Sequence, residues 1–291
     1  MKILVIIVSY NFKRWLNPCL DSLRKTTIPV SAVVIDNGSQ DDTVEIIRRN
    51  YPEVRIIPTG KNLGFGRANN IGMRIALKEG FDYVFLMNQD AWVEPDTIEK
   101  LAKEMEKHHD YGILSPTHIT GKGDCEDAGF AFYAKDGKAN GTITDVQFVN
   151  AAFWMIPVEV LRTTGGFSPL FYHYGEDIDF ANRVIYRHLR IGFMHSAIAY
   201  HDREYRQITH RQFMHSEYVY LLSQYANINL SIGKAFGYSV LAGIKKAVKS
   251  VMHGRTGEAS EYMNIVFRLC ADTPKVITTR INNTKQKPNY I

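Results

Sequence analysis

Cysteine is scarce in this 291-residue chain, and its scarcity excludes two ways of stabilising a fold. The three cysteines, Cys19, Cys125 and Cys270, are odd in number, lie far apart and form no C-x-x-C pair. We therefore expect neither a disulfide framework nor a cysteine zinc site, and the reducing cytoplasm is the natural compartment.

Long apolar runs are also missing. The longest candidates, residues 3–8 and 235–244, fall well short of the roughly 18 residues that a membrane-spanning helix needs. The first run is followed by Ser9-Tyr10-Asn11 instead of a small-residue cleavage site, so we expect a buried first strand and no signal peptide.

The composition is that of a globular protein, with 45% hydrophobic and 22% charged residues, which excludes a mainly disordered or collagen-like chain. The net charge of +5 is unevenly distributed. Residues 203–291 carry 13 basic and 5 acidic side chains, whereas the preceding part is mildly acidic. A basic C-terminal part indicates an anionic partner.

Strand and helix signals alternate through the first hundred residues. Aliphatic runs at 3–8, 32–35, 54–57 and 83–87 predict strands, the first of them buried on both faces, and segments with helical spacing separate them. This βαβαβαβ series predicts a parallel sheet with helices on both faces.

The pattern changes after residue 110. Residues 111–150 predict short strands, and residues 190–200 predict a closing strand. A helical pattern follows, and the polar residues 282–291 are expected to be frayed. We therefore predict an α/β domain over residues 1–205 and a basic helical extension over 206–291.

Polar residues follow all four early strands, where an open parallel sheet binds its ligands. They are Ser9, Tyr10, Asn11, Asp36, Asn62, Gly64, Asn88 and Asp90. Each alone is also typical of a turn or a helix cap. Asn69 and Asn70 are expected to open a helix whose N-terminus faces phosphate. The Walker and Rossmann glycine motifs are absent.

Acidic residues indicate further chemistry. Asp90 suits Mg²⁺ or Mn²⁺ together with diphosphate oxygens, although a helix-initiating aspartate is the alternative. Glu176, Asp177 and Asp179 lie at a predicted helix start, whose dipole is expected to keep Asp177 ionised as a general base. A purely structural acidic helix start stays open. His201 becomes a candidate ligand only if it approaches Asp90.

Six motifs stand in a fixed order along residues 1–205. They are I-I-V-S-Y-N at 6–11, D-N-G-S at 36–39, N-L-G-F-G-R-A-N-N-I-G at 62–72, N-Q-D at 88–90, G-G-F at 165–167, and F-Y-H-Y-G-E-D-I-D-F at 171–180 leading to A-Y-H at 199–201. Together they resemble glycosyltransferase family 2, in its rhamnosyltransferase-like branch.

The resemblance implies a GT-A fold, with a mostly parallel central sheet flanked by helices and a C-terminal helical extension. It also implies a metal-dependent, inverting transfer of a sugar, with rhamnose as one candidate, in cell-surface polysaccharide assembly. The donor would be a dTDP- or UDP-linked sugar, and the acceptor a saccharide or a lipid-linked saccharide.

The same resemblance assigns roles to residues. The nucleotide would lie at Ser9, Tyr10, Asn11, Asp36, Asn62, Gly64, Asn69, Asn88 and Asp90. Asp177 would be the general base with Glu176 beside the acceptor, and Asp90 and His201 would hold the divalent cation. Asn88 replaces the first aspartate of the D-x-D motif, which is expected to reduce metal affinity.

Two features concern the acceptor and the location. Trp154, Tyr172 and Tyr174 are expected to stack on acceptor sugar rings, with core packing as an equal alternative. Residues 233–254 have the pattern of an amphipathic basic helix, which suits an anionic membrane surface. A helix packed on the catalytic domain or on a second subunit of a homodimer is the alternative. No motif indicates nucleic-acid binding.

We therefore expect a cytoplasmic enzyme that is peripheral on the inner face of the plasma membrane. A sugar nucleotidyltransferase is the alternative enzyme, but the glycine-rich loop typical of that class is absent after the first strand. A non-catalytic nucleotide-sugar-binding protein also stays open, and only turnover separates it from a transferase.

Overall fold

The computed structural model describes residues 1–203 and 208–291, which form ten strands and eleven helices. The strands are β1 (Ile3–Ser9), β2 (Ser31–Asp36), β3 (Arg55–Pro58), β4 (Tyr83–Asn88), β5 (Ala91–Val93), β6 (Tyr111–Thr120), β7 (Lys138–Asn140), β8 (Ile143–Val146), β9 (Phe153–Pro157) and β10 (Arg190–His201). The helices are α1 (Leu16–Arg24), α2 (Thr43–Asn50), α3 (Phe65–Glu79), α4 (Thr97–Lys107), α5 (Ala128–Ala134), α6 (Val158–Thr164), α7 (Glu176–Tyr186), α8 (His210–Ala226), α9 (Ile232–Met252), α10 (Thr256–Ala271) and α11 (Thr273–Thr284).

One sheet contains all the described strands, in the order β3-β2-β1-β4-β9-β6-β10-β8-β7, with β5 paired to β10. The first four strands of this order are parallel, as the alternating pattern predicts. The remainder is mixed, because β9 runs antiparallel to both β4 and β6. The central sheet is thus mixed beyond its parallel half: β10 pairs parallel with β6, whereas β8 pairs antiparallel with both β10 and β7.

The sheet buries apolar side chains on both faces. Successive residues of β1 point to opposite sides: Ile3, Val5 and Ile7 join one hydrophobic cluster, whereas Leu4 and Ile6 join the other. Helices cover both clusters, and this explains why the strand reads as an uninterrupted aliphatic run in the sequence.

Strand β6 corrects the expectation of short strands after residue 110, since it spans ten residues. Its buried polar residues hide it in the sequence. The Ser115 hydroxyl donates to the carbonyl of Phe153 at 2.8 Å and lies 2.8 Å from Nε2 of His118. These partners make polar side chains tolerable in a central strand.

The C-terminal helices α8 to α11 contain a third hydrophobic cluster, which also takes in Phe171. This separate cluster supports the predicted helical extension. The proposed boundary between residues 205 and 206 lies outside the described residues, so its position stays a prediction. No helix of the described residues is both long and apolar enough to cross a bilayer.

Residues 282–291 pack against the α/β domain, which corrects the expectation of a frayed end. Asn283 is 1% exposed and donates to Asp179 at 3.0 Å, while the Tyr290 hydroxyl donates to Asn283 at 2.8 Å. The amide of Gly166 donates to the carbonyl of Asn289 at 2.8 Å. These polar side chains satisfy buried polar groups of the domain instead of facing water.

Helix α7 contains a buried ion pair between two of its own residues. The Arg183 guanidinium donates to Asp179 at 2.9 Å, and its other nitrogens donate to the carbonyls of Thr164 and Gly166 at 2.6 and 2.7 Å. Both charged side chains are almost fully buried. Arg183 therefore ties α7 to the loop after α6, and Asp179 ties it to α11.

Replacing Arg183 by methionine is expected to reduce the free energy of unfolding by about 3–5 kcal/mol, because Asp179 would be left buried without its cation. Urea denaturation monitored by circular dichroism measures the change. Arg55→Met is the matched control: its ion pair with Glu79 is exposed, so the expected loss is below about 1 kcal/mol. Equal losses in the two variants would contradict this account of Arg183.

Candidate active site

Asp36 at the end of β2 is held by hydroxyl and amide donors. The Ser9 hydroxyl donates to Oδ1 at 3.1 Å, the Ser39 amide donates to Oδ2 at 3.1 Å, and the Ser39 hydroxyl also donates to Oδ1. Asp36 is 2% exposed. The parallel pairing of β1 with β2 puts Ser9 directly beside Asp36, as the strand-end argument predicts.

The loop after β3 is tied to the same edge of the sheet. The side-chain amide group of Asn37 donates to Oδ1 of Asn62 at 3.0 Å. The same oxygen accepts from the backbone amide of Gly64 at 2.9 Å. Gly64 has φ +83°, and a Cβ there would lie 2.3 Å from the carbonyl oxygen of Tyr172. Only glycine fits at this position, which brings the segment before α7 against the predicted nucleotide loop.

Tyr10 and Asn11 complete the edge at the end of β1. The Tyr10 amide donates to Gln89 at 2.8 Å, and the Gln89 amide group donates back to the Tyr10 carbonyl at 3.2 Å. The Asn11 amide donates to the Ser39 hydroxyl at 2.9 Å. Tyr10 remains 43% exposed, so its ring is accessible to a ligand.

Asn69 and Asn70 do not open a helix, which corrects that expectation. Helix α3 begins at Phe65, and both asparagines are buried in its second turn. Asn69 donates to the carbonyl of Phe65 at 3.1 Å, and Asn70 bonds both backbone groups of Phe167. Helix α3 starts directly after Gly64, whose φ of +83° lets the chain turn into the helix, so both asparagines lie one turn inside it.

Strand pairing brings Asp90 and His201 together. Antiparallel pairing of β5 with β10 sets Ala91 opposite His201, and the Asp202 amide donates to the Asp90 carbonyl at 2.8 Å. Nε2 of His201 then lies 3.3 Å from Oδ1 of Asp90. His201 therefore meets the condition that the sequence set for a candidate ligand.

Asn88 completes a three-residue cluster, with its side-chain nitrogen 3.4 Å from Nε2 of His201. Within residues 1–203 and 208–291, no group of three or more His, Cys, Asp or Glu side chains suits a metal ion. A cation here would have Asp90 and His201 as protein ligands. This donor set fits Mg²⁺ or Mn²⁺, which bind through one or two protein groups together with substrate phosphates and water.

Arg203 and Asp127 extend this cluster, and sequence reasoning missed both. Nε of Arg203 donates to Nδ1 of His201 at 3.2 Å and lies 3.1 Å from Oδ2 of Asp127. Asp127 is buried and caps α5 by accepting from the Phe130 amide at 2.9 Å. Arg203 lies two residues beyond His201, and this proximity is the only signal in the sequence.

Asp177 lies half-buried in the first turn of α7. Burial raises the pKa of its carboxyl group, while the backbone amides around it, including those of Ile178 and Ala151, oppose the increase. The Ile178 amide donates to Oδ1 at 2.9 Å. Loss of water on burial therefore outweighs the favourable amides in setting the direction of the pKa shift, and the ionised state of Asp177 stays a prediction.

Ala151 and Ala152 connect the two acidic positions. The Ala151 amide lowers the pKa of Asp177, and the Asn88 amide donates to the Ala152 carbonyl at 3.0 Å. The base candidate and the cation candidate thus adjoin the same dipeptide. The convergence of Asp90 and Asp177 on one cleft stays a prediction.

Glu176 is the most unusual carboxylate of the site. It is 3% exposed, its Oε2 atom has no hydrogen-bond partner among the described residues, and it packs beside Gly66 at the start of α3. Burial first, and the charge of Asp177 second, raise its pKa to about 7. An unpartnered buried oxygen suits a site that receives a ligand hydroxyl.

The aromatic residues separate into two groups. Trp154 is fully buried between Phe167 and Phe180 and donates to the carbonyl of Val149 at 3.0 Å, so its expected stacking on an acceptor is corrected to core packing. Tyr172 and Tyr174 are about 60% exposed just before α7. Both rings are accessible, so their contact with an acceptor stays a prediction.

The raised pKa of Glu176 has a consequence for stability. Between pH 4.5 and about 7, Glu176 is protonated in the native state and ionised in the unfolded state. This proton contributes about 3 kcal/mol to the free energy of unfolding. The contribution is fully present below pH 4.5 and is lost as the pH rises through 7. The free energy of unfolding, measured by urea titration, should therefore decline between pH 4.5 and 8 in the wild type. We expect Glu176→Gln to remove this part of the decline.

Glu159→Gln is the control for this titration, because Glu159 lies on α6 with an exposed side chain. It is expected to keep the pH dependence of the wild type. A Glu176→Gln variant with the wild-type slope would show that Glu176 is ionised in the native state across this range.

The described fold is shared with solved structures of S. aureus TarS. The structure of TarS 1–349 in complex with UDP matches with a TM-score of 0.60 and 16% identity, covering 97% of this chain and 88% of that chain. The full TarS structure matches with the same TM-score over 54% of its length. The fold is therefore that of the GT-A glycosyltransferases, and the prediction of this fold is confirmed.

Residues 4–164, more than half of the chain, match the sequence model of glycosyl transferase family 2. The chain therefore belongs to this family, as its motifs indicate. The family assignment covers the edge of the sheet from Ser9 to Asp90, whereas Asp177 and His201 lie beyond the matched residues.

Three curated relatives share part of this sequence. The N-acetylglucosaminyl-diphospho-decaprenol L-rhamnosyltransferase of Mycobacterium tuberculosis is 35% identical over 38% of this chain and 39% of its own length. The chondroitin synthase of Escherichia coli is 34% identical over 35% of this chain and 15% of its own. TarS of Staphylococcus aureus is a poly(ribitol-phosphate) beta-N-acetylglucosaminyltransferase. It is 25% identical over 56% of this chain and 28% of its own length. The alignments thus span less than half the length of each relative.

Proposed function

We propose that this protein is an inverting glycosyltransferase that moves a sugar from a nucleoside-diphosphate sugar to a saccharide acceptor. The observation that carries the proposal is the approach of His201 to Asp90, whose side chains lie 3.3 Å apart beside Asn88. The Asn88 amide bonds the Ala152 carbonyl, and the neighbouring Ala151 amide lowers the pKa of Asp177, so a base and a diphosphate site would adjoin one cleft.

The nucleotide would bind along the edge formed by the ends of β1, β2 and β4. Asp36 is held in place by two serines and would accept a hydrogen bond from the base or the ribose. Tyr10 would cover one face of the nucleotide with its exposed ring. Gly64 would let this loop lie against the backbone of Tyr172, and Asn62 orients the loop.

Asp177 would act as the general base. Its carboxylate would take the proton of an acceptor hydroxyl while the oxygen bonds to the anomeric carbon, and the bond from that carbon to the diphosphate oxygen would break. The proton ends on Asp177 and the electron pair on the diphosphate. One displacement from the opposite face inverts the anomeric centre. The raised pKa of Asp177 brings its basicity closer to the operating pH.

Asp90 and His201 would hold a divalent cation beside the diphosphate. When bound, such a cation stabilises the charge that develops on the leaving group. Asn88 contributes a neutral amide there, while Arg203, which bonds His201, adds a positive charge to the same cluster. This positive charge does not replace the missing carboxylate of the D-x-D motif as a cation ligand, but it would attract the diphosphate oxygens.

The acceptor would approach from the side of Tyr172 and Tyr174, whose exposed rings precede Glu176 along the chain. Glu176 would receive an acceptor hydroxyl at its unpartnered oxygen. The mycobacterial relative is named as a rhamnosyltransferase acting on a diphospho-decaprenol acceptor. We therefore propose a dTDP- or UDP-linked sugar, with rhamnose first, and a lipid-linked saccharide as the substrates to test.

Asp177→Asn is expected to lower turnover by about 10²–10⁴-fold, the usual contribution of base catalysis, with nucleotide binding largely intact. A thermal-stabilisation screen of nucleotide sugars first identifies the donor. Release of nucleoside diphosphate in the presence of acceptor then gives the turnover. Near-normal turnover in this variant would reject Asp177 as the base, and an anomerically retained product would reject inversion.

Asp90→Ala is expected to abolish most of the Mn²⁺-dependent part of donor binding, because it removes the carboxylate ligand. Calorimetry with the nucleoside diphosphate, with and without Mn²⁺, separates this part from the rest. Asp177→Asn serves as the matched control that keeps the Mn²⁺ effect. If Mn²⁺ strengthens binding to Asp90→Ala as much as to the wild type, the cation does not bind at Asp90.

A further inference from the structure

Helix α9 has an inverted distribution of side-chain size. Its buried face is formed by small residues at nearly every fourth position, whereas its large apolar residues face the solvent. The small residues are Ala235, Ser239, Gly243, Ala247 and Ser250. A helix that only packs against its neighbours normally buries its large apolar side chains and exposes its polar ones.

Close packing accounts for the buried face. A Cβ at Gly243 would lie 2.6 Å from Cγ2 of Val266 on α10, and the Ser239 hydroxyl donates to the Leu221 carbonyl on α8 at 2.9 Å. The opposite face is not required for this packing. It exposes Leu241 by 66%, Val248 by 53%, Val251 by 56% and Met252 by 80%, with Ile244 at the margin. We call these five residues the outer face of α9.

Lysines border the outer face. Helix α9 contains four lysines and no acidic residue. Of the four, only Lys246 forms an ion pair within the described residues, with Glu217. Lys234, Lys245 and Lys249 are exposed and lie on one flank of the apolar stripe. Apolar residues flanked by unpaired positive charge complement an interface that is apolar inside and anionic at its surface.

We propose that the outer face of α9 binds an anionic lipid bilayer, with the helix lying in the plane of the interface. The 21-residue helix would be about 32 Å long and would present its apolar stripe to the acyl chains and its lysines to the headgroups. In this orientation the helix lies on the bilayer and does not cross it.

This attachment would also fix the acceptor side of the cleft. Val219 of α8 packs against Gly175, and Phe171 belongs to the same hydrophobic cluster as α8 and α9 residues. The segment that carries Tyr172 and Tyr174 is therefore anchored on the helices that bear the outer face. A lipid-linked acceptor would meet this segment at the membrane surface, a consequence that rests on the proposed function, whereas lipid binding itself does not.

Sedimentation of the full-length protein with vesicles tests the proposal. We expect binding to vesicles of phosphatidylglycerol and phosphatidylcholine in equal parts, weaker binding to phosphatidylcholine alone, and loss of binding as salt increases. Replacing Leu241, Val248 and Met252 together by serine should lower the partition coefficient by at least about tenfold for each residue. Lys245→Ala and Lys249→Ala should each lower it about fivefold.

The matched controls remove exposed residues elsewhere. Lys78→Ala with Lys138→Ala, on α3 and β7, and Phe132→Ser, on α5, are expected to bind vesicles like the wild type. All variants should keep the wild-type unfolding temperature because the replaced side chains are exposed. Equal binding by the wild type and the triple serine variant would overturn the proposal.

A second copy of the chain is the competing occupant of the outer face, and sedimentation velocity without lipid distinguishes it. A wild-type dimer that the triple serine variant converts to a monomer, together with no vesicle binding, would overturn the lipid proposal. Because vesicle binding involves no sugar transfer, its result is independent of the Asp177→Asn experiment.

Discussion

The backbone of Ala151 and Ala152 holds together two parts of the chain on which the candidate site depends. One alanine amide faces the carboxylate of Asp177, and the next carbonyl accepts from Asn88 at the end of β4. Both alanines are buried, and β9, which follows them, lies between β4 and β6. A shift of this segment would separate the base candidate from the cluster of Asp90 and His201.

The three carboxylates at the start of α7 differ in how they are compensated. Asp179 is neutralised by Arg183 and bonded by Asn283, whereas Asp177 is stabilised by backbone amides alone. Glu176 has an oxygen with no partner. Burial without compensation is unfavourable for folding, and the proposed function gives this oxygen an acceptor hydroxyl as its partner. Asp179 stabilises the helix, whereas Glu176 and Asp177 are the residues to which the proposed function assigns chemistry.

Much of the fold and part of the candidate site could be predicted from the sequence. The first four strands were predictable because each reads as an aliphatic run, although β3 at the edge of the sheet is only partly buried. Asp179 and Arg183 are four residues apart, a spacing at which opposite charges on a helix pair, and the structure shows this pair. Strand β6 and Arg203 were not predictable: the polar side chains of β6 find partners only in the folded protein, and Arg203 gains meaning only from its contact with His201.

The sequence by itself determined the family, the alternating half of the sheet and the residues at its edge, because these follow from local periodicity and from motifs in a fixed order. Only the tertiary structure decided that Trp154 is core, that Asn69 lies within α3, that His201 reaches Asp90, and that α9 turns its large apolar residues outward. Each of these depends on contacts between residues far apart in the chain, and strand register and helix packing decide such contacts.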